Sequence, residues 1–172
     1  RAEASDVATA VYDSAVFDSA DALMLSAETA AGKYPFESVK IMDRIIRGVE
    51  SDSSYRFLIN SKKVKLEETT SDAISAAASQ VVNTVLAKAI FTYTRSGKTA
   101  IRAARERPSV PIIGLSPERL TARQLSLIWG VHSIHANEPK SFSGMIDNAC
   151  ELAKKEKIVR KGDCVVITAG AP

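Results

Sequence analysis

Apolar positions recur along the chain with two alternating periods. Val39, Met42, Ile45, Ile46 and Val49 fall at helical spacing behind Pro35, a residue suited to a first helical turn. Ile74, Ala77, Ala78, Val81, Val82 and Val85 predict another helix, with Thr69, Thr70, Ser71 and Asp72 as cap candidates. The β-rich run Ala89-Ile90-Phe91-Thr92-Tyr93 follows, then a polar turn and a helix over 99–106 that stops before Pro108. Strand Ile112-Ile113-Gly114-Leu115, a helix over 121–128 and a strand over 131–135 repeat the pattern. A helix carrying Phe142, Met145, Ile146, Ala149, Leu152 and Ala153, then strand Cys164-Val165-Val166-Ile167-Thr168, complete it.

From residue 51 onward the order is therefore α, β, α, β, α, β, α, β. Strands alternating with helices imply βαβ units and a mainly parallel sheet covered on both faces, so the fold class is α/β and 51–172 form a three-layer αβα domain. Residues 1–50 read as a helix, a short strand at Ala22-Leu23-Met24-Leu25, a loop and a helix. That is one βα unit with its preceding helix, too little to bury a core alone. Ser51-Asp52-Ser53-Ser54 is the expected hinge, and the polar stretch 60–68 a second loop. A tandem repeat, Val11-Tyr12-Asp13-Ser14-Ala15 then Val16-Phe17-Asp18-Ser19-Ala20, would turn a helical apolar face by about 140°, so a bulge or loop is expected there.

Composition narrows the classes. The 172 residues are 45% hydrophobic and 25% charged, an ordinary globular balance. Net charge is only +3, and the basic cluster Lys62-Lys63-Val64-Lys65 is followed at once by Glu67 and Glu68, which argues against nucleic acid as a partner. No apolar run approaches the roughly 20 residues that span a bilayer, and none has the form of a signal peptide, so no membrane partner is expected. Cys150 and Cys164 are expected as buried, reduced thiols, which suits a cytoplasmic protein. The chain begins at Arg1 and ends at Pro172 just after a strand-like run, so a piece of a longer polypeptide is expected.

The most informative stretch is Tyr93-Thr94-Arg95-Ser96-Gly97-Lys98-Thr99-Ala100, which follows a strand and opens a helix. Backbone N–H groups and the helix dipole favour an anion there. Thr94, Ser96 and Thr99 add hydroxyls, Gly97 allows close approach, and Arg95 or Lys98 supplies positive charge. Two readings fit: a phosphate-binding loop at the carboxyl edge of a parallel sheet, or a solvated, well-capped βα turn. A Walker loop is rejected, because Thr92 stands where its first glycine belongs, and no GxGxxG follows any strand.

A second candidate is Met24-Leu25-Ser26-Ala27-Glu28-Thr29-Ala30-Ala31-Gly32-Lys33-Tyr34-Pro35. A strand ending in such groups is where a β/α barrel displays its active site, yet Ser26 and Thr29 also read as turn and cap residues. His132 and His135 lie three apart on a strand, face opposite ways and form no simple metal pair. Trp129 reads as cover for the core at a helix end, and the CxxC spacing of a zinc site is absent.

Taken together, the sequence resembles the pyruvate kinase family. Arg1-Ala2-Glu3, Ser5-Asp6-Val7-Ala8, Met24-Leu25-Ser26-Ala27-Glu28-Thr29-Ala30 and Gly32-Lys33-Tyr34-Pro35 look like its last barrel repeats. Thr94, Ser96-Gly97, Thr99-Ala100, Arg107-Pro108, Pro111-Ile112-Ile113, Thr121-Ala122-Arg123-Gln124, Trp129-Gly130-Val131 and Gly162-Asp163 look like its C-terminal regulatory domain, which Val165-Val166-Ile167-Thr168-Ala169-Gly170 continues. The resemblance implies a β/α-barrel fragment over 1–50 and a regulatory domain over 51–172. It further implies phosphoryl transfer from phosphoenolpyruvate to ADP in glycolysis, with Mg²⁺ and K⁺, in a homotetramer.

The family's Lys, metal carboxylates and nucleotide loop lie upstream of Arg1, so this chain alone is expected to be inactive. Ser26 and Glu28 correspond to its active-site rim, and Thr94, Arg95, Ser96, Gly97, Lys98 and Thr99 to the loop that takes the phosphate of an allosteric effector. Family members that bind fructose 1,6-bisphosphate use a Trp and an Arg after the third strand. Ala136-Asn137-Glu138-Pro139-Lys140-Ser141 has neither, which points to a monophosphate such as a sugar monophosphate or AMP. Three departures stand out: Ala27 replaces a frequent glycine, the tandem repeat adds length, and the chain ends before the family's second glycine-rich loop and edge strand. The alternative from another class is a stand-alone phosphate-sensing or oligomerisation module without catalysis.

Overall fold

Helix periodicity and strand spacing are realised in a computed structural model that describes residues 7–10, 20–61, 67–139 and 141–169. The tandem repeat, apart from Ala20, and the Arg1-Ala2-Glu3 motif lie outside the described residues. Two compact units result, Arg1–Lys63 and Val64–Pro172.

In the first unit, residues 7–10 are helical. Helices α1 (Ala27–Ala30), α2 (Pro35–Ser51) and α3 (Ser53–Ser61) follow. Pro35 opens α2, where its missing N–H costs nothing. Of the stripe predicted for α2, Met42, Ile45, Ile46 and Val49 are half-buried and Val39 is exposed. Tyr55 and Ile59 of α3 form the buried centre of this unit, flanked by Leu23, Ile46 and Val49. The expected hinge is the break between α2 and α3, but the second helix stays with the first unit through Tyr55 and Ile59, so the units divide about a dozen residues later. The apolar pattern does not predict helix α3; its signal is Asp52, whose Oδ1 accepts from the Ser54 N–H at 2.7 Å. Ala22-Leu23-Met24-Leu25 is not a strand, contrary to expectation. A strand exists only by pairing, and no ladder forms on this run among the described residues.

The second unit alternates as predicted: α4 (Thr70–Val85), β1 (Ile90–Tyr93), α5 (Lys98–Arg105), β2 (Ile112–Ser116), α6 (Arg119–Leu125), β3 (Val131–His135), α7 (Phe142–Lys155) and β4 (Val166–Ala169). The strands form a four-stranded parallel sheet in the order β3-β2-β1-β4, with Tyr93 level with Leu115 on one side and Ala169 on the other. Alternation along the strands feeds two cores. Ile90 and Ile112 pack with Val82, Ala103 and Ala104 of α4 and α5 on one face. Phe91, Ile113 and Leu115 pack with Ala149 and Ala153 of α7 on the other. The alanines let the helices approach closely, and full burial of a side chain such as Phe91 contributes about 1.5–3 kcal/mol. Gly114 serves the same purpose: a Cβ there would stand 3.2 Å from Val131 Cγ1 and 3.3 Å from Leu125 Cδ1.

The structure departs from the sequence pattern at three further points. Helix α4 turns Asp72, Ser75, Ala78 and Val82 inward, while Ile74, Val81 and Val85 of the predicted stripe are exposed. Its buried face is narrower because the Asp72 carboxylate, not an apolar side chain, anchors its start. Thr69 is the N-cap, accepting from the Asp72 N–H, and Asp72 in turn binds the Glu67 N–H, Arg102 and Arg105. Helix α6 ends at Leu125, short of the predicted 128, because the chain turns through 126–130 to reach β3. The thiols are free, but Cys164 is exposed and Cys150 only half-buried. Trp129, half-buried, stacks under the guanidinium of the buried Arg107 at 4.5 Å from the ring centroid.

Candidate functional site

In a parallel sheet, ligands sit beyond the carboxyl ends of the strands, near the point where strand order reverses. Here the chain steps outward from β1 to β2 to β3 and then returns to the other side of β1 for β4. The loop following β1 is therefore the favoured position, and it is Thr94-Arg95-Ser96-Gly97.

A cavity of about 730 Å³ lies at this edge. One wall is Tyr93, Thr94, Arg95, Ser96 and Thr99; the facing wall is the β3–α7 segment 136–139. Leu115, Pro117 and Met145 line the rest.

Local geometry explains the hydroxyl wall. The Thr94 N–H donates to Leu115 O at 2.9 Å and extends the β1–β2 pairing by one residue. Thr94 is thereby 92% buried, yet its hydroxyl lines the cavity without a partner among the described residues. Ser96 and Thr99 hydroxyls also have none there. Gly97 then takes φ +83, which glycine adopts without the cost a Cβ would bring, and a Cβ would also press Leu125 Cδ2 at 3.3 Å. That turn starts α5 abruptly, with no side chain capping its N-terminus. The N–H groups of Lys98, Thr99 and Ala100 therefore keep the free donors that open every α-helix. Three hydroxyls and an uncapped helix start make a neutral cradle for an anion.

Charge enters through Arg95. Its guanidinium spans the cavity to Glu138, Nε lying 3.4 Å from Oε1 and Nη2 donating to Oε2. Each partner reinforces the other's ionised form: the Arg95 hydrogen bonds hold the Glu138 carboxyl below its ordinary range, and Glu138 raises the Arg95 guanidinium, with a smaller contribution from Glu118. Tyr93 closes the floor by donating from Oη to Met145 O at 2.7 Å, and burial pushes its phenol up. His135, whose Nε2 lies 3.1 Å from Pro117 O, ties the end of β3 to the β2–α6 turn.

Of the predicted loop residues, Thr94, Arg95, Ser96 and Thr99 line the cavity together. Gly97 shapes the turn beneath it, and Lys98 is exposed and not part of the lining. Glu138 was not anticipated. Its signal was topological: it stands three residues past β3, the strand two places from β1, and so at the same sheet edge.

Ser26 and Glu28 belong to the first unit. Ser26 is the N-cap of α1, its N–H donating to Glu28 Oε2 at 2.9 Å while its carbonyl accepts from the Thr29 and Ala30 N–H groups. Glu28 thus works as a capping carboxylate in this chain. Among the described residues no three His, Cys, Asp or Glu side chains gather as metal ligands. No described helix is long and apolar enough to cross a membrane.

Comparison with known proteins matches this arrangement to one family. Residues 72–172 match the family "Pyruvate kinase, alpha/beta domain" and residues 1–39 match "Pyruvate kinase, barrel domain". A pyruvate kinase of Methylorubrum extorquens is 44% identical over all 172 residues, which span 35% of its length. That of Sporosarcina psychrophila is 41% identical, with 28% of its length covered. A crystal structure of Cryptosporidium parvum pyruvate kinase superposes with a TM-score of 0.85 at 34% identity, over 98% of this chain and 34% of that one. Another from that organism, in complex with ADP, gives 0.82 over 99% and 34%. The chain spans about a third of the length of the relatives it matches. A parallel α/β domain with this strand order, preceded by a barrel fragment and matched along its whole length, belongs to the pyruvate kinase family.

Proposed function

We propose that this chain is the C-terminal part of a pyruvate kinase that transfers phosphoryl from phosphoenolpyruvate to ADP in glycolysis, in the cytoplasm. The observation that carries the reading is the match of all 172 residues to pyruvate kinases across the barrel–regulatory junction. The first unit, Arg1–Lys63, completes the catalytic barrel, with Ser26 and Glu28 at its rim, and the second unit, Val64–Pro172, forms the regulatory domain. Mg²⁺ and K⁺ serve the complete enzyme through residues outside this chain. The homotetramer expected of the family is supported by the exposed Ile74, Val81 and Val85 along α4, a surface suited to a second copy.

Loop 94–99 holds the phosphate of an allosteric effector in this reading, with a single phosphate rather than two. The uncapped start of α5 and the three unpartnered hydroxyls support it.

Two assays of Mg²⁺-dependent ATP formation from phosphoenolpyruvate and ADP test the assignment. The purified 172-residue chain is expected to give none, because phosphoryl transfer depends on cations positioned around the transferring group. A chimera carrying the preceding two-thirds of the Methylorubrum extorquens enzyme is expected to be active. Activity of the chain alone, or a folded but inactive chimera, contradicts the proposal.

A further inference from the structure

The ion pair across the cavity has a consequence beyond phosphate binding as such. Arg95 is the positive side chain on the hydroxyl wall, and its guanidinium already holds a carboxylate supplied from the opposite wall. A ligand phosphate seated on Thr94, Ser96 and Thr99 finds Arg95 engaged. We propose that Glu138 is the specificity-determining residue of this cavity, an internal competitor that a phosphate ester must displace from Arg95. The inference rests on the anion-site reading above.

Geometry favours exchange over permanent locking. Both side chains are more than half exposed, at 66% and 57%, so the pair is screened and its rupture costs little. A phosphate dianion offers Arg95 the same two-oxygen face as a carboxylate with more charge, and it also gains the α5 N–H groups and the hydroxyls. A monoanionic carboxylate ligand gains no such charge advantage over Glu138 itself. Competition therefore filters for phosphate, and displacement frees the 136–139 wall from its tie to the loop after β1.

A double-mutant cycle on the full chain, titrated with inorganic phosphate by calorimetry, tests this. Glu138→Gln should tighten phosphate binding about threefold to fivefold, because Arg95 is then available from the start. In an Arg95→Gln background the same change should gain less than about twofold, since there is nothing left to compete for. Glu118 is present in all four proteins and cancels from the cycle. An equal gain in both backgrounds makes Glu138 a simple repelling charge and overturns competition. No gain in either background overturns it too and leaves the anion site standing. Failure of all four proteins to bind phosphate removes the site and the competitor together.

Discussion

Replacing Ser96 and Thr99 together by alanine weakens binding of a phosphate monoester to the full chain by roughly a hundredfold. Each hydroxyl that donates to a charged phosphate contributes about 1.5–3 kcal/mol, and tenfold in affinity corresponds to about 1.4 kcal/mol. Neither hydroxyl has another partner among the described residues, and Ser96 is exposed, so folding is little affected. Calorimetric titration with glucose 6-phosphate checks the affinity, and thermal unfolding checks that the variant is intact. A change below threefold would make the loop a solvated βα turn with no anion bound.

Asp72→Ala produces the largest loss of stability. Asp72 is fully buried and binds Arg102 Nε at 2.9 Å, Arg105 Nη2 at 2.5 Å and the Glu67 N–H at 2.8 Å. Removing the carboxylate strands two guanidinium groups that are each about two-thirds buried, and it unties the start of α4 from α5. A fall in Tm of roughly 10 °C is expected by circular dichroism; less than about 2 °C would contradict the role. The pH dependence has a definite sign. The hydrogen bond from Arg105, then that from the Glu67 N–H, hold the Asp72 carboxyl below its ordinary value of 3.8. Its contribution is thus fully present above that value and is lost as pH falls through the lower folded value, so the gap between wild type and variant narrows only once pH drops below 3.8.

Most of the α/β architecture was legible because two periods, near 3.6 and 2, separate cleanly after residue 69. Strand 131–135 is legible to the residue, since Val131 and Ile134 are bounded by Gly130 and the polar segment beyond 135. Legibility failed where tertiary partners decide. Leu23 and Leu25 have strand-like neighbours in sequence but no ladder among the described residues, and Ile74 and Val81 fit a core stripe by period alone, whereas Asp72 sets the rotation of α4. At the site, hydroxyls, glycine and helix start all lie within one six-residue stretch, so local spacing exposed them. Glu138 meets Arg95 from 43 residues away, and only the β3-β2-β1 order brings them to one edge. Lys98, adjacent in sequence, is exposed and is not among the lining residues.

Amide NMR of the full chain during titration with inorganic phosphate tests the anion loop most directly. Phosphate seated at the start of α5 shifts the N–H resonances of Ser96, Lys98, Thr99 and Ala100 together, with one shared dissociation constant. The amides of α4 and of the carboxyl half of α7 stay in place. Saturating shifts elsewhere, with 96–100 unmoved, would contradict the assignment.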